Sequence, residues 1–147
     1  MLWTERTLAF EVLPKLHGAV RSQKLADVVA EHLAQTKDHA ARVEQVFRAV
    51  NAEPSSNLDA AAEKLAQQHD ELAEKIVDER LADAFHAIAG TATEHHELAA
   101  YDALLALGRA LDLGDARALL ERNRKEEEQA LDKLEQELER LVKELRP

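Results

Sequence analysis

The sequence predicts an all-α fold: four long helices packed as a bundle, with a short extra helix in the long connection between the second and third. Three observations carry this. The chain is 46% hydrophobic but only 3% aromatic and is rich in Ala and Leu, a helical composition and not a disordered one. Only 4 Gly and 3 Pro interrupt it, so the elements between them must be long. Apolar residues also return every three or four positions, which places them on one helical face. The 147 residues favour a single domain, 1–147, with enough chain to bury a core.

The first helix is expected from near Leu2 to about His17. Leu2, Glu5, Ala9, Val12, Leu16 and Ala19 share one stripe, on which Glu5 alone is charged. Pro14 has no amide hydrogen, which predicts a kink in the preceding turn. Gly18 is the expected stop and Ser22 the expected N-cap of the second helix. That helix, about Gln23 to Val50, repeats Val29, His32, Thr36, His39, Val43, Val46 and Val50 in seven-residue register. Two histidines and a threonine therefore stand where a bundle places Leu or Val.

The stretch Asn51 to Asn57, with a proline, two serines and two asparagines, is the clearest break in the chain. A shorter helix follows, about Leu58 to Ile76, with Leu58, Ala62, Leu65, Leu72 and Ile76 on one face and His69 at its edge. Val77-Asp78-Glu79 is a hinge without a strong breaker. The third long helix is expected from about Arg80 to Leu111. Asp112-Leu113-Gly114-Asp115 closes it, with Asp115 as the cap candidate for the fourth, about Ala116 to Leu145. The fourth helix buries Leu120, Glu127, Leu131, Leu134, Leu138, Leu141 and Leu145, again one carboxylate among leucines. Short turns make each flanking pair an antiparallel hairpin. The long middle passage suits an up-down-down-up bundle.

Composition also excludes functions. A net charge of −10 argues against a nucleic-acid surface or an anionic membrane as partner. No apolar run approaches the roughly 18–20 residues of a bilayer span. Met-Leu-Trp-Thr-Glu at the start lacks the features of a signal peptide, so the cytoplasm is the expected location. The absence of cysteine excludes thiolate metal sites, redox thiols and disulfides.

The functional signal is Glu94-His95-His96-Glu97, inside the apolar run from Leu81 to Leu107, together with the isolated Glu5, His32, His39 and Glu127. With a rise of about 1.5 Å per residue, Glu5 falls level with the stretch between His32 and His39, and Glu127 falls close to Glu97. Each hairpin thus brings its own carboxylates and histidines together. Unpaired burial of such groups costs several kcal/mol each, so they must pair with one another, meet basic groups such as Arg6, Arg109 or Arg124, or bind metal. Oxygen and imidazole donors suit Fe, Mn or Zn, and facing helices with inward Glu and His build two-metal carboxylate sites. His17, His69, His86 and His96 are expected at the surface or edge.

Four segments in order resemble the ferritin-like YciE/YciF family of bacterial stress-associated proteins. They are Thr4-Glu5-Arg6-Thr7-Leu8 with Leu13-Pro14-Lys15-Leu16, then His32 to His39 leading to Val43–Phe47, then Glu94 to Tyr101, and Glu126-Glu127 ahead of Asp132-Lys133-Leu134. The resemblance implies a ferritin-like bundle, often dimeric, holding one or two Fe or Mn ions, with Zn as a third option. It implies Glu5, Gln35, His39, Glu94, Glu97 and Glu127 as ligands, His95 and Glu126 as reserves, and Tyr101 as a supporting hydroxyl. It specifies no reaction. The chain departs from the pattern in three ways. It has neither of the two usual Glu-x-x-His motifs, since Thr36 stands three before His39 and Ala130 three after Glu127. Ala34 and Gln35 stand where many relatives have a glutamate, and one extra residue separates Glu5 from Leu13-Pro14. Two functions are therefore expected to compete: a metal-binding stress protein, and a non-catalytic helical homodimer with a degenerate site.

Overall fold

The computed structural model describes residues 1–54 and 59–145. Its elements run α1 (Leu2–Thr7), a π-helical turn (Leu8–Val12), α2 (Leu13–Ala19), α3 (Gln23–Ala49), α4 (Ala60–Ala73), α5 (Glu79–Ala110) and α6 (Gly114–Glu144). No strand occurs among the described residues, and no helix is long and apolar enough to cross a membrane. This is the expected ferritin-like bundle. Ser55, Ser56 and Asn57 of the predicted break, and Leu58 at the start of the predicted short helix, lie outside the described residues.

The helix ends follow local chemistry. Ser22 caps α3 by accepting from the Leu25 amide, Asp59 caps α4 through the amides of Ala61 and Ala62, and Asp78 caps α5 through those of Arg80 and Leu81. The hinge without a breaker is thus a helix start marked by its aspartate, and α4 ends at Ala73, three residues before the expected Ile76. Both α3 and α5 close on a left-handed residue, Asn51 at φ 51° and Asp112 at φ 54°. The next amides, of Ala52 and Leu113, reach back to the carbonyls of Phe47 and Gly108, completing Schellman-type ends. Asp115 does not cap α6. Leu113 holds the N-cap position without a side-chain bond, and Asp115 lies in the first turn, where its negative charge complements the positive end of the helix dipole.

The segment from Leu2 to Ala19 stays helical throughout, so Gly18 is not a stop; the chain leaves the helix at Val20, with ψ 144°. Ahead of Pro14 the expected kink takes the form of a π-turn, closed by the Leu13 amide bonding to the Leu8 carbonyl. Proline cannot donate to the carbonyl four residues back and crowds it. A wider turn relieves that crowding and accommodates the extra residue noted in the sequence. Leu8, Ala9 and Leu13 are all buried as a result.

Two apolar regions lie at opposite ends of the bundle. One gathers Leu8, Leu13, Leu25, Val29, Ala84, Ala87, Leu134 and Leu141. The other gathers Leu2, Ala40 and Val43, with Tyr101, Leu105 and Leu120 beside them. The order of these residues along each helix makes α3 and α5 parallel to one another and antiparallel to α1 and α6, the up-down-down-up arrangement. Between the two regions every long helix contributes buried polar residues.

Three elements are tied at one end by Asp83. Its carboxylate accepts from the backbone amides of Arg21 at 2.9 Å and Ser22 at 2.7 Å. The Ser22 hydroxyl donates to Glu137 at 3.1 Å and accepts from Arg140 at 2.8 Å. Asp83→Ala strands two amides that have no other acceptor, so urea unfolding should show a loss of about 2–3 kcal/mol. Loss of the exposed Asp78 cap should cost clearly less than loss of Asp83.

Candidate metal centre

The polar layer is assembled from four helices. Glu5 comes from α1, His32 and His39 from α3, Glu94 and Glu97 from α5, and Glu127 from α6. His32 and His39 are seven residues apart and Glu94 and Glu97 three apart, spacings that keep each pair on one face. All six are buried. Their donor atoms form two groups, each within 4.8 Å: His32, Glu94, Glu97 and Glu127, and Glu5, His39 and Glu127. Glu127 belongs to both.

The distances define which ring nitrogen faces inward. His32 Nε2 lies 3.1 Å from Glu94 Oε1 and 3.8 Å from Glu127 Oε2. His39 Nδ1 lies 2.6 Å from Glu127 Oε1 and 3.7 Å from Glu5 Oε2. On its outer side His39 Nε2 bonds Glu126 at 3.0 Å, and Arg42 grips Glu126 at 2.9 Å and Asn123 at 2.5 Å. Asn123 in turn donates to the His39 carbonyl at 3.2 Å and to the Tyr101 hydroxyl at 2.8 Å, while that hydroxyl donates to Glu5. His39 and Glu5 are therefore oriented from outside, as metal ligands usually are. Many inner atoms make no hydrogen bond: both oxygens of Glu97 and one each of Glu5, Glu94 and Glu127. His39 Nδ1 and the other Glu127 oxygen have each other at 2.6 Å as an ion-pair contact, without the alignment of a hydrogen bond. Buried groups of this kind are ordinarily satisfied.

Electrostatics sharpen the same point. Burial, and then the charges of Glu5, Glu127 and Glu94, push Glu97 well above the usual carboxylate range. Burial also raises Glu5 and Glu127, although His39 opposes it in both. Burial alone would lower the histidines. Glu94 and Glu127 outweigh it and hold His32 up at about 9, while Glu127 and Glu5 hold His39 at about 10. Tyr101 is raised by burial and by the Glu5 charge. Glu126 is lowered because Arg122, Arg42 and His39 together exceed its own burial.

Five of the six expected ligands thus meet: Glu5, His39, Glu94, Glu97 and Glu127. Gln35 does not join them. It stays half-buried, one position round the helix from the inward Thr36, and makes no hydrogen bond among the described residues. His32 occupies the inward position on α3 instead. His95 is exposed, with Glu135 at 3.9 Å. Arg6, Arg109 and Arg124 do not serve the layer: Arg6 pairs with Glu44, Arg124 with Asp102 and Glu128, and Arg109 is exposed. Arg42 and Asn123 do, and both were missed. Asn123 lies three after Leu120 and four before Glu127, so its polarity on that stripe was a readable signal. His86 is buried, not at the edge, and meets His69 at 2.8 Å, while His96 meets Asp59 at 2.7 Å. Burial and the neighbouring His69 lower His86.

Residues 1–145 match the family described as a domain of unknown function, DUF892. The chain belongs to that family. Among solved structures, this DUF892 member is similar to the E. coli stress protein YciF, with 27% identity, a TM-score of 0.91, and coverage of 97% of this chain and 89% of that one. It is also similar to YcfI of Rhodopseudomonas palustris, whose description as a structural protein is provisional. That match has 30% identity, a TM-score of 0.87, and coverage of 91% and 85%. No curated protein matches. The YciE/YciF resemblance read from the sequence is thereby established.

Proposed function

We propose that this DUF892 member binds two divalent metal ions, Fe or Mn with Zn as the third option, in the polar layer, and that it acts in a stress response. The observation that carries the reading is the donor inventory. Two-metal carboxylate bundles use one Glu from each of two helices and a Glu-x-x-His pair from each of the other two, which amounts to four carboxylates and two imidazoles. The layer here holds the same set, redistributed. α3 supplies both histidines, α5 two glutamates, and α1 and α6 one each. Four carboxylates carry the charge that two divalent cations neutralise. His32, Glu94 and Glu97 would hold one ion and Glu5 and His39 the other, with Glu127 shared between them. When bound, Fe or Mn would supply redox chemistry towards oxygen or peroxide. The chain's part is to fix the ligands, with Glu126 and Arg42 holding the His39 ring so that Nδ1 faces inward, and to keep water out. The stress role rests on the likeness to YciF, and a homodimer, to be checked by light scattering, is part of the same proposal.

Element-specific analysis of untagged protein tests this directly. The parent should retain near-stoichiometric Fe, Mn or Zn, and Glu94→Ala/Glu127→Ala should retain none. Equal metal in both, or none in the parent after anaerobic Fe(II) loading, would leave a helical scaffold and favour the non-catalytic reading.

A further inference from the structure

Beneath α4 lies a cavity of about 690 Å³, walled by Leu8 of the π-turn, Leu13 of α2, Val29 of α3, Leu65 of α4, Phe85 of α5 and Leu134 of α6. Small-molecule sites commonly occupy about 300–1,000 Å³ and are mostly apolar. Two features separate it from a packing gap. First, α4 buries none of its own residues, yet polar contacts fix it in place: Asp59 to His96, His69 to His86, and Asp70 to Lys15 at 2.7 Å. The helix is held as a roof over space instead of being packed into it. Second, His32 and Glu94 form part of the cavity wall, and both also belong to one of the two metal groups.

The wall also states what it would refuse. Glu11, Glu63 and Glu74 line it, and its one lysine, Lys15, already pairs with Asp70. An anionic guest would meet repulsion at that exposed rim. The histidines of the wall are engaged as well, His32 with Glu94 and His69 with Asp70 and His86, so no basic group among the described lining residues is left to offset it. We infer that this cavity binds a neutral, mainly hydrocarbon small molecule and presents it to the His32–Glu94 edge of the metal centre. The second half of that inference rests on the metal reading; the first does not.

The test uses the neutral fluorophore N-phenylnaphthylamine. The parent should bind it with enhanced fluorescence. Ala66→Phe from α4 and Ala89→Phe from α5, both filling the cavity, should each weaken binding at least tenfold while metal content and helical circular dichroism stay at the parent's values. Decanol should displace the probe, and decanoate at pH 8 at least tenfold less effectively. Loading with Mn(II) should quench the bound probe, whereas Glu127→Gln should bind the probe unquenched. No binding by the parent, unchanged affinity in both filled variants, or equal competition by decanoate would overturn the pocket. Stoichiometric Mn(II) without quenching would overturn presentation to the centre. Probe binding in a parent that retains no metal would overturn the metal reading and leave the pocket standing.

Discussion

Glu127→Gln should abolish metal-dependent stabilisation as a whole, and not halve it. Glu127 is the one residue common to both donor groups, so each ion loses a ligand and the charge shared between them. In the parent, free metal at a hundred times its Kd should add about 2.7 kcal/mol for each ion bound. At roughly 2–4 °C per kcal/mol in a domain of this size, that is about 5–10 °C in Tm. Differential scanning fluorimetry with Mn(II) and Zn(II) reads it. Glu127→Gln should show no rise. Glu126→Gln should keep most of it, because Glu126 touches the centre only through His39. A full metal response in Glu127→Gln would show that the ions bind elsewhere on the acidic surface.

The metal-free protein should lose stability steadily as pH rises from about 6.5 to 10. The sign follows from the groups in the layer. His32 and His39 titrate at about 9 and about 10 in the fold, against about 6.5 in an unfolded chain. Their pairing is therefore complete below about pH 6.5 and is lost as pH rises through 9 and 10, a change on the order of 3 kcal/mol for His32 and 5 kcal/mol for His39. Glu5, Glu97 and Glu127 are raised above the ordinary 4.5 as well, so from that pH upward the fold holds their protons more tightly than the unfolded chain does. That slope has the same sign. Glu126 and Glu137 are lowered and complete their gain at lower pH, outside the window. Urea midpoints of chelator-treated protein should fall across it. Metal displaces these protons, so the separation between loaded and free protein should widen with pH. A flat profile for the metal-free chain would contradict the ion pairing.

Much of this centre was legible because an ionisable residue on an apolar stripe is costly. Glu5, His39 and Glu127 each stood out on a heptad-like row, and equal distances from two short turns set them level. Gln35 and His32 show where that logic stopped. They differ by three positions on α3, and the family pattern favoured Gln35, whereas the stripe Val29-His32-Thr36 already pointed inward at His32. Arg42 could not be read: an arginine beside an apolar stripe is normally solvated, and its burial depends on Glu126 and Asn123 arriving from α6. The short helix was overlong in the sequence reading because Glu74 and Lys75 are good helix formers. The hinge before α5 was read without its cap because a single aspartate is common and becomes a signal only when the following amides are known to be free.

The π-turn between α1 and α2 has a consequence for how this chain can change in length. An extra residue in a regular α-helix turns everything upstream by about 100°, which would swing Glu5 out of the layer while Leu13 and Leu16 stayed in place. Widening one turn absorbs the surplus locally, with Phe10 left on the surface. Glu5 and the Leu13-Pro14 end therefore both keep their faces despite the surplus residue, and deleting one residue from this turn should restore a regular α-helix with Glu5 still in the layer.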